Sequence, residues 1–238
     1  MDNTFRWEVS RSAGPRVALV TADTPAGEGN NPLSDDQVST RDEPVWRPRL
    51  LVIIASTRPG RVGLPIGQWF AQQAEAQGDF VVQVVDLAEL DLPFMNEPNH
   101  PRLRAYTHQH TKDWSATVNA ADAIVLVMPE YNHGYTAPLK NAIDYLMHEW
   151  MYKPVGFVSY GGVSSGLRAV QSLKPILSAL KMVPIPEAVP ISLMNSPFNE
   201  SGELQPTDQM NDAANGMLRA LRTWVDTLRT PLQANRNQ

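Results

Sequence analysis

Arg58 and Arg61 stand in the run Ser56-Thr57-Arg58-Pro59-Gly60-Arg61, directly ahead of a helix-like segment. Guanidinium groups, hydroxyls and the free N–H groups of a helix start all favour anions, and phosphate satisfies them together. A second reactive stretch, Pro129-Glu130-Tyr131-Asn132-His133-Gly134, offers an aromatic face, a two-way amide and a glycine that lets backbone approach closely. The third, Tyr160-Gly161-Gly162-Val163-Ser164-Ser165-Gly166, can bring bare N–H groups to the edge of a flat heterocycle. Together these suit a ligand with a phosphate at one end and a planar ring at the other.

Competing chemistries fail on their own requirements. The chain contains neither GxGxxG nor GxxxxGK[ST], which disfavours ordinary dinucleotide and P-loop sites. Gly162 to Gly166 does spell G-x-S-x-G, the outline of a hydrolase nucleophile elbow. That chemistry needs an acid and then a histidine in later loops, and no histidine follows His148. His108 and His110, two apart on an expected helix, would point about 200° apart and could not share a metal. His148-Glu149 lacks the second histidine of HExxH, and the absence of Cys removes thiolate nucleophiles, cysteine-ligated zinc and disulfides. His133 stands in the ring loop, where a plain polar loop residue is the simpler reading.

The elements around these loops alternate. Leu50 to Ala55 is a continuous apolar run of strand length, the pattern of a strand buried on both faces. A helix over 64–77 follows the Arg loop, with Ile66, Trp69, Phe70 and Ala74 on one side. A second strand is expected over 80–85, then the Pro-rich stretch 92–98, which could cover a site, and a polar helix over 102–120. The third strand, 123–127, enters the Tyr131 loop, and a helix from Ala137 to Trp150 leaves it. The fourth strand, 155–159, leads through the Gly-Gly loop to a helix with Val170, Leu173, Leu177 and Leu180 on one face and a kink expected at Pro175. Pro184, Pro186 and Pro190 demote the fifth strand to an edge, and Met210, Ala214, Met217, Leu221, Trp224 and Leu228 mark a closing helix. This order predicts an α/β, flavodoxin-like fold, a five-stranded parallel sheet of order 2-1-3-4-5 with helices on both faces. In that fold the loops after strands one, three and four meet at the switch point where ligands bind.

Composition sets the remaining bounds. Residues 1–48 are rich in Gly, Asn, Asp and Pro and read as a mostly disordered extension, with 17–20 able to dock as an edge strand or on a partner subunit. One domain is expected over 49–230, then a disordered tail over 231–238. The formal charge of −5 offers no basic surface for nucleic acid or anionic membrane. No apolar run reaches bilayer length and no secretory leader is visible, which points to the cytoplasm. Tyr145, Met147, Trp150 and Met151 remain as an apolar group once the core face of their helix is filled, and such a patch usually meets a partner.

A phosphate grip plus two ring loops describes a mononucleotide such as FMN. The combination of Ser56-Thr57-Arg58-Pro59-Gly60-Arg61, Pro129-Glu130-Tyr131-Asn132, Leu139-Lys140-Asn141-Ala142-Ile143-Asp144 and Tyr160-Gly161-Gly162 resembles the NAD(P)H-dependent FMN reductases, flavodoxin-like reductases of quinones, azo dyes, chromate and flavins. The resemblance covers roughly 50–193. It implies that Ser56, Arg58 and the loop Arg61, Val62, Gly63, Leu64, Pro65 hold the FMN phosphate. It also implies that Pro129, Glu130, Tyr131 and Asn132 line the isoalloxazine, largely through backbone, with Tyr160, Gly161 and Gly162 at its other edge. Many relatives carry Ser or Asn where this chain has Val62 to Pro65, so backbone contacts are expected there. The likeness further implies hydride donation by NADPH or NADH, a small-molecule electron acceptor, ping-pong kinetics, no general acid or base, and a homodimer or homotetramer through the 137–150 region. A flavodoxin-type electron carrier or regulatory FMN module is the rival, and the mild charge favours the enzyme because carriers usually show a strongly acidic docking face.

Overall fold

The computed structural model describes residues 46–237, so the expected extension, with its possible strand at 17–20, lies almost wholly outside the described residues. Five parallel strands, β1 (Arg49–Ile54), β2 (Val81–Asp86), β3 (Ala123–Pro129), β4 (Pro154–Gly161) and β5 (Val183–Ser192), form one sheet in the order β2-β1-β3-β4-β5. The helices are α1 (Gly63–Gln77), a single turn α2 (Leu87–Leu90), α3 (Gln109–Ala120), α4 (Ala137–Asp144), α5 (Leu167–Ala179) and α6 (Asp208–Arg236). None is long and apolar enough to cross a membrane among the described residues.

Strand periodicity divides the core. Leu50, Val52 and Ile54 face the layer built by α1 and α6, while Leu51 and Ile53 face α3, α4 and α5. β3 and β4 are buried along their whole length, as central strands must be when helices cover both faces. Gly156 lets α6 pack closely on β4, where a Cβ would lie 2.7 Å from Met217 Sδ and force that side chain to move. β5 takes the edge, where its three prolines cost no ladder bonds on the open side.

Several boundaries differ from the sequence expectation. The closing helix does not stop before 231 but runs through Pro231 to Arg236; Leu232 is buried and Asn235 Nδ2 donates to the His148 carbonyl at 2.8 Å. Those contacts outweigh the backbone hydrogen bond lost at the proline. α5 likewise continues through Pro175. The segment expected as one helix over 102–120 splits into a 3-10 turn at Pro101–Leu103 and α3, with His108 extended at the N-cap. His108 and His110 consequently do not diverge: their rings stack at 5.1 Å and 7°, and both Nε2 atoms contact Asn96.

The expected partner patch is also corrected. α4 ends at Asp144, and the chain folds back so that Tyr145, Trp150 and Met151 are 0%, 1% and 6% exposed. Trp150 Nε1 donates to the Ile143 carbonyl at 3.0 Å and Trp114 Nε1 to the Ala142 carbonyl at 2.8 Å, with the two indoles edge-to-face at 5.9 Å. Tyr145, Trp150 and Met151 fill the chain's own core, and of the expected patch Met147 stays partly exposed.

Candidate functional site at the carboxyl edge of the sheet

The loops after β1, β3 and β4 come together at the carboxyl ends of the strands. Ala55 N–H donates to the Val127 carbonyl at 2.9 Å, and the Ala55 carbonyl accepts the Thr136 hydroxyl at 2.9 Å, which ties the first loop to the second. Thr136 also caps α4, accepting from the Leu139 amide. Its place before Ala137-Pro138 is an N-cap signal legible in sequence, yet its tie to Ala55 is not.

In the first loop Ser56 is buried and its Oγ lies 3.2 Å from the Tyr131 hydroxyl. α1 begins without a side-chain cap: Val62 is its N-cap, and the amides of Gly63 and Leu64 have no partner among the described hydrogen bonds, while Pro65 has no N–H. A helix start left open in this way is an anion cradle. Arg58 is exposed beside it. Arg61 pairs its guanidinium Nη2 with the Asp86 carboxylate at the end of β2, and its Nε is buried with no partner among the described residues. Asp86 also caps α2, accepting the Ala88 amide at 3.0 Å, so Arg61 braces the loop from behind.

The second loop is a two-residue hairpin. Tyr131 and Gly134 exchange backbone hydrogen bonds of 3.0 and 2.9 Å, and the positive φ values fall on Asn132 (49°) and His133 (66°) rather than on Gly134. This is a type I′ turn with asparagine and histidine in its two left-handed positions, two of the non-glycine residues most often found there. The amides of Glu130 and Tyr131 are already used, by the Tyr160 carbonyl at 3.1 Å and by Gly134. Of the backbone donors expected to face the ring, Asn132 is the one left at the tip.

Glu130 closes the site from the side. Its carboxylate accepts the Ser164 hydroxyl at 2.5 Å and Arg168 Nε at 2.6 Å, so the loops after β3 and β4 are latched to each other. Burial pushes this carboxyl up, but the Ser164 and Arg168 hydrogen bonds and the Arg168 charge outweigh it and hold it below the usual carboxylate range. Ser164 is thereby committed to a carboxylate, and the left-handed residues of its loop are Ser165 and Gly166, so the elbow geometry of a hydrolase is not formed. Sequence reasoning missed both Ser164 and Arg168 as partners of Glu130.

Tyr160 lies opposite Pro129 in the β3–β4 register. Its hydroxyl is buried without a hydrogen-bond partner among the described residues, and burial holds its pKa well above the ordinary tyrosine value. Gly63 packs so closely on this hydroxyl that any Cβ would collide with it. Gly161 carries the end of β4 and accepts the Leu193 amide at 2.8 Å, while Gly162 opens the loop beyond it. The structure thus brings Ser56, the start of α1, Tyr131 and Tyr160 together, and sets Arg61 one step back.

Comparison with known proteins agrees with this fold. Residues 48–195 match the NADPH-dependent FMN reductase family. An NAD(P)H-dependent FMN reductase of Schizosaccharomyces pombe is 42% identical over 137 residues, covering 57% of this chain and 68% of that protein. A Saccharomyces cerevisiae protein of the same description is 38% identical over 142 residues, 55% of this chain and 74% of its own. An NADPH azoreductase of a Bacillus species is 31% identical over 159 residues, 65% and 83% of the two chains. The flavoenzyme FerB of Paracoccus denitrificans superposes with a TM-score of 0.60 over 76% of this chain and 98% of its own, and at 22% identity it speaks for the shared fold alone. The sheet order, the three converging loops and these likenesses agree, and the chain belongs to the NADPH-dependent FMN reductase family.

Proposed function

We propose that the chain takes hydride from NADPH or NADH and reduces a small acceptor of the quinone, flavin, azo or metal-oxyanion kind, the two substrates using the same open face in turn by a ping-pong mechanism. The observation that carries this is the uncapped start of α1 beside Ser56 and Arg58, set directly against the Tyr131 hairpin and the partnerless Tyr160 hydroxyl. An open helix start, a buried hydroxyl and a free guanidinium suit the FMN phosphate, with Val62, Gly63, Leu64 and Pro65 contributing backbone and close approach. Bound FMN supplies the hydride chemistry between nicotinamide and acceptor.

The protein's own part is binding, orientation and electrostatics. Tyr131 and Asn132 flank one side of the ring slot, Gly161 and Gly162 the other, and the Glu130–Ser164 and Glu130–Arg168 bonds fix their separation. Glu130 is ionised and doubly bonded, so it is assigned no acid–base role. The descriptions of the fungal and bacterial relatives as FMN reductases and azoreductases support this class of reaction. Purification with yellow flavin, followed by anaerobic mixing with NADPH and with NADH, tests it: bleaching by either is expected, and failure with both would leave a flavodoxin-like carrier instead. A steady-state screen of acceptors with both nicotinamides then identifies the substrate.

A further inference from the structure

A second polar cleft opens at the amino-terminal ends of the strands, the pole opposite the ring slot. It has a volume of about 210 Å3, and its walls include Trp46, Arg47, Arg49, Asp122, Arg229 and Arg236. Four arginines against one carboxylate make a concentrated positive field on a chain whose formal charge is −5.

Ion pairing and helix capping account for only one of these arginines. Arg236 donates Nε to the Asn119 carbonyl at 2.9 Å, Nη1 to Asp122 Oδ1 at 2.9 Å and Nη2 to the Ala121 carbonyl at 2.5 Å. It therefore covers the end of α3 and neutralises Asp122, whose Oδ2 accepts the Arg49 amide at 2.8 Å. The buried Lys153 side chain also donates to the Val118 carbonyl, so the carbonyls at this helix end are already supplied with donors. The side chains of Arg47, Arg49 and Arg229 have no acidic partner among the described residues.

Two of these three charges are mounted on firm supports. Arg229 lies 4.4 Å from the centroid of the Trp46 ring, and Arg222 grips the same ring at 5.4 Å, which fixes Trp46 against α6. Arg49 is the first residue of β1 and is anchored through its amide. Like charges gathered in this way repel one another unless an anion lies among them. A phosphate chain matches the set best, because each guanidinium presents a planar fork to phosphate oxygens.

We propose that this cleft is a second anion site, built for the diphosphate group of a small molecule and separate from the flavin slot. The test is isothermal titration of the FMN-saturated full chain with inorganic pyrophosphate and, in parallel, with ADP, at low and at high salt. One saturable site per chain is expected, weakening as salt rises. Equal affinity for the two probes would mean that the phosphates alone are recognised, and tighter ADP binding would mean that the base adds contacts; either outcome supports the site. R49Q/R229Q should bind at least about tenfold more weakly with flavin content unchanged. R47Q, an exposed position without bonded partners among the described residues, should weaken binding several-fold and serves as the check if the double variant does not fold. Absence of saturable binding with both probes, binding unchanged in these variants, or binding abolished by R58A but not by R49Q/R229Q would overturn the proposal.

Discussion

Replacing Glu130 by Gln removes a charge and leaves the shape, and so isolates the latch between the two ring loops. The Glu130 side chain is 6% exposed, whereas Arg168 is 46% exposed, so the two bonds contribute unequally. The screened ion pair is worth about 0.2–1 kcal/mol. The Ser164 bond to the buried carboxylate is worth about 1.5–3 kcal/mol, and the Gln carbonyl restores about 1 kcal/mol of it as a neutral bond. The net loss is about 0.7–3 kcal/mol, which lowers flavin affinity by about 3- to 150-fold if loop closure is coupled to binding. Titration of FMN fluorescence against flavin-free protein measures this directly. R168Q should cost at most about fivefold, and the E130Q/S164A double-mutant cycle should show coupling of about 0.5 kcal/mol or more. Because the folded-state pKa of Glu130 is depressed, its contribution is complete above the ordinary value of 4.5 and fades as pH falls through the lower folded value. Parent and E130Q should therefore converge only in acid. If E130Q binds FMN like the parent, or R168Q costs more than E130Q, the latch is not what sets the slot.

Other perturbations separate the remaining parts of the site. R58A removes an exposed guanidinium with no partner among the described residues, and loss of a charge-assisted phosphate contact of about 1.5–3 kcal/mol should weaken FMN by about 10- to 100-fold; unchanged flavin content after gel filtration would refute the assignment. R61A should instead lower the urea midpoint more than it lowers FMN affinity, since it strands Asp86, which is 10% exposed. G63A drives a methyl into the Tyr160 hydroxyl and should cost about 1–3 kcal/mol in thermal unfolding, most of it recovered in G63A/Y160F. Burial raises the Glu97 carboxyl, yet bonds from Thr107 and His108 bring it down to about 2. Its hold on the start of α3 is thus complete above the ordinary value of 4.5 and lost as pH falls towards about 2. Amide exchange at Thr107 and His108 should quicken from about pH 5 to about pH 3 in the parent, beyond its intrinsic pH dependence, while E97Q is fast throughout; equal protection in both would contradict it.

What could be read from sequence was what local composition commits. The unbroken apolar run Leu50–Ile54 required burial on both faces, and the three prolines of β5 left it only an edge. The ring and phosphate loops were visible because their residues are of kinds the fold itself does not demand: arginine, serine and paired glycines ahead of helices. Helix ends were harder. No glycine or proline stands between Asp144 and Pro154, so nothing local announced that α4 stops there and sends Tyr145 and Trp150 inward. At the other end of the chain Pro231 did announce a stop, and the burial of Leu232 and Asn235 overrode it.

The polar pairs that shape the site show why partners are less legible than positions. Arg61 and Asp86 are 25 residues apart, and Glu130 reaches Ser164 and Arg168 across 34 and 38 residues. Charge alone gives each of these residues many possible partners, and only the strand order 2-1-3-4-5 selects among them. Asp86 ends β2 beside the loop of β1, and Ser164 follows β4 beside the loop of β3, so each pair joins neighbours in space that crossovers separate in sequence. A parallel sheet makes such separations unavoidable, because adjacent strands must be joined by long connections. The same topology that gathers the ligand loops at one edge thus hides from the sequence the contacts that hold them there.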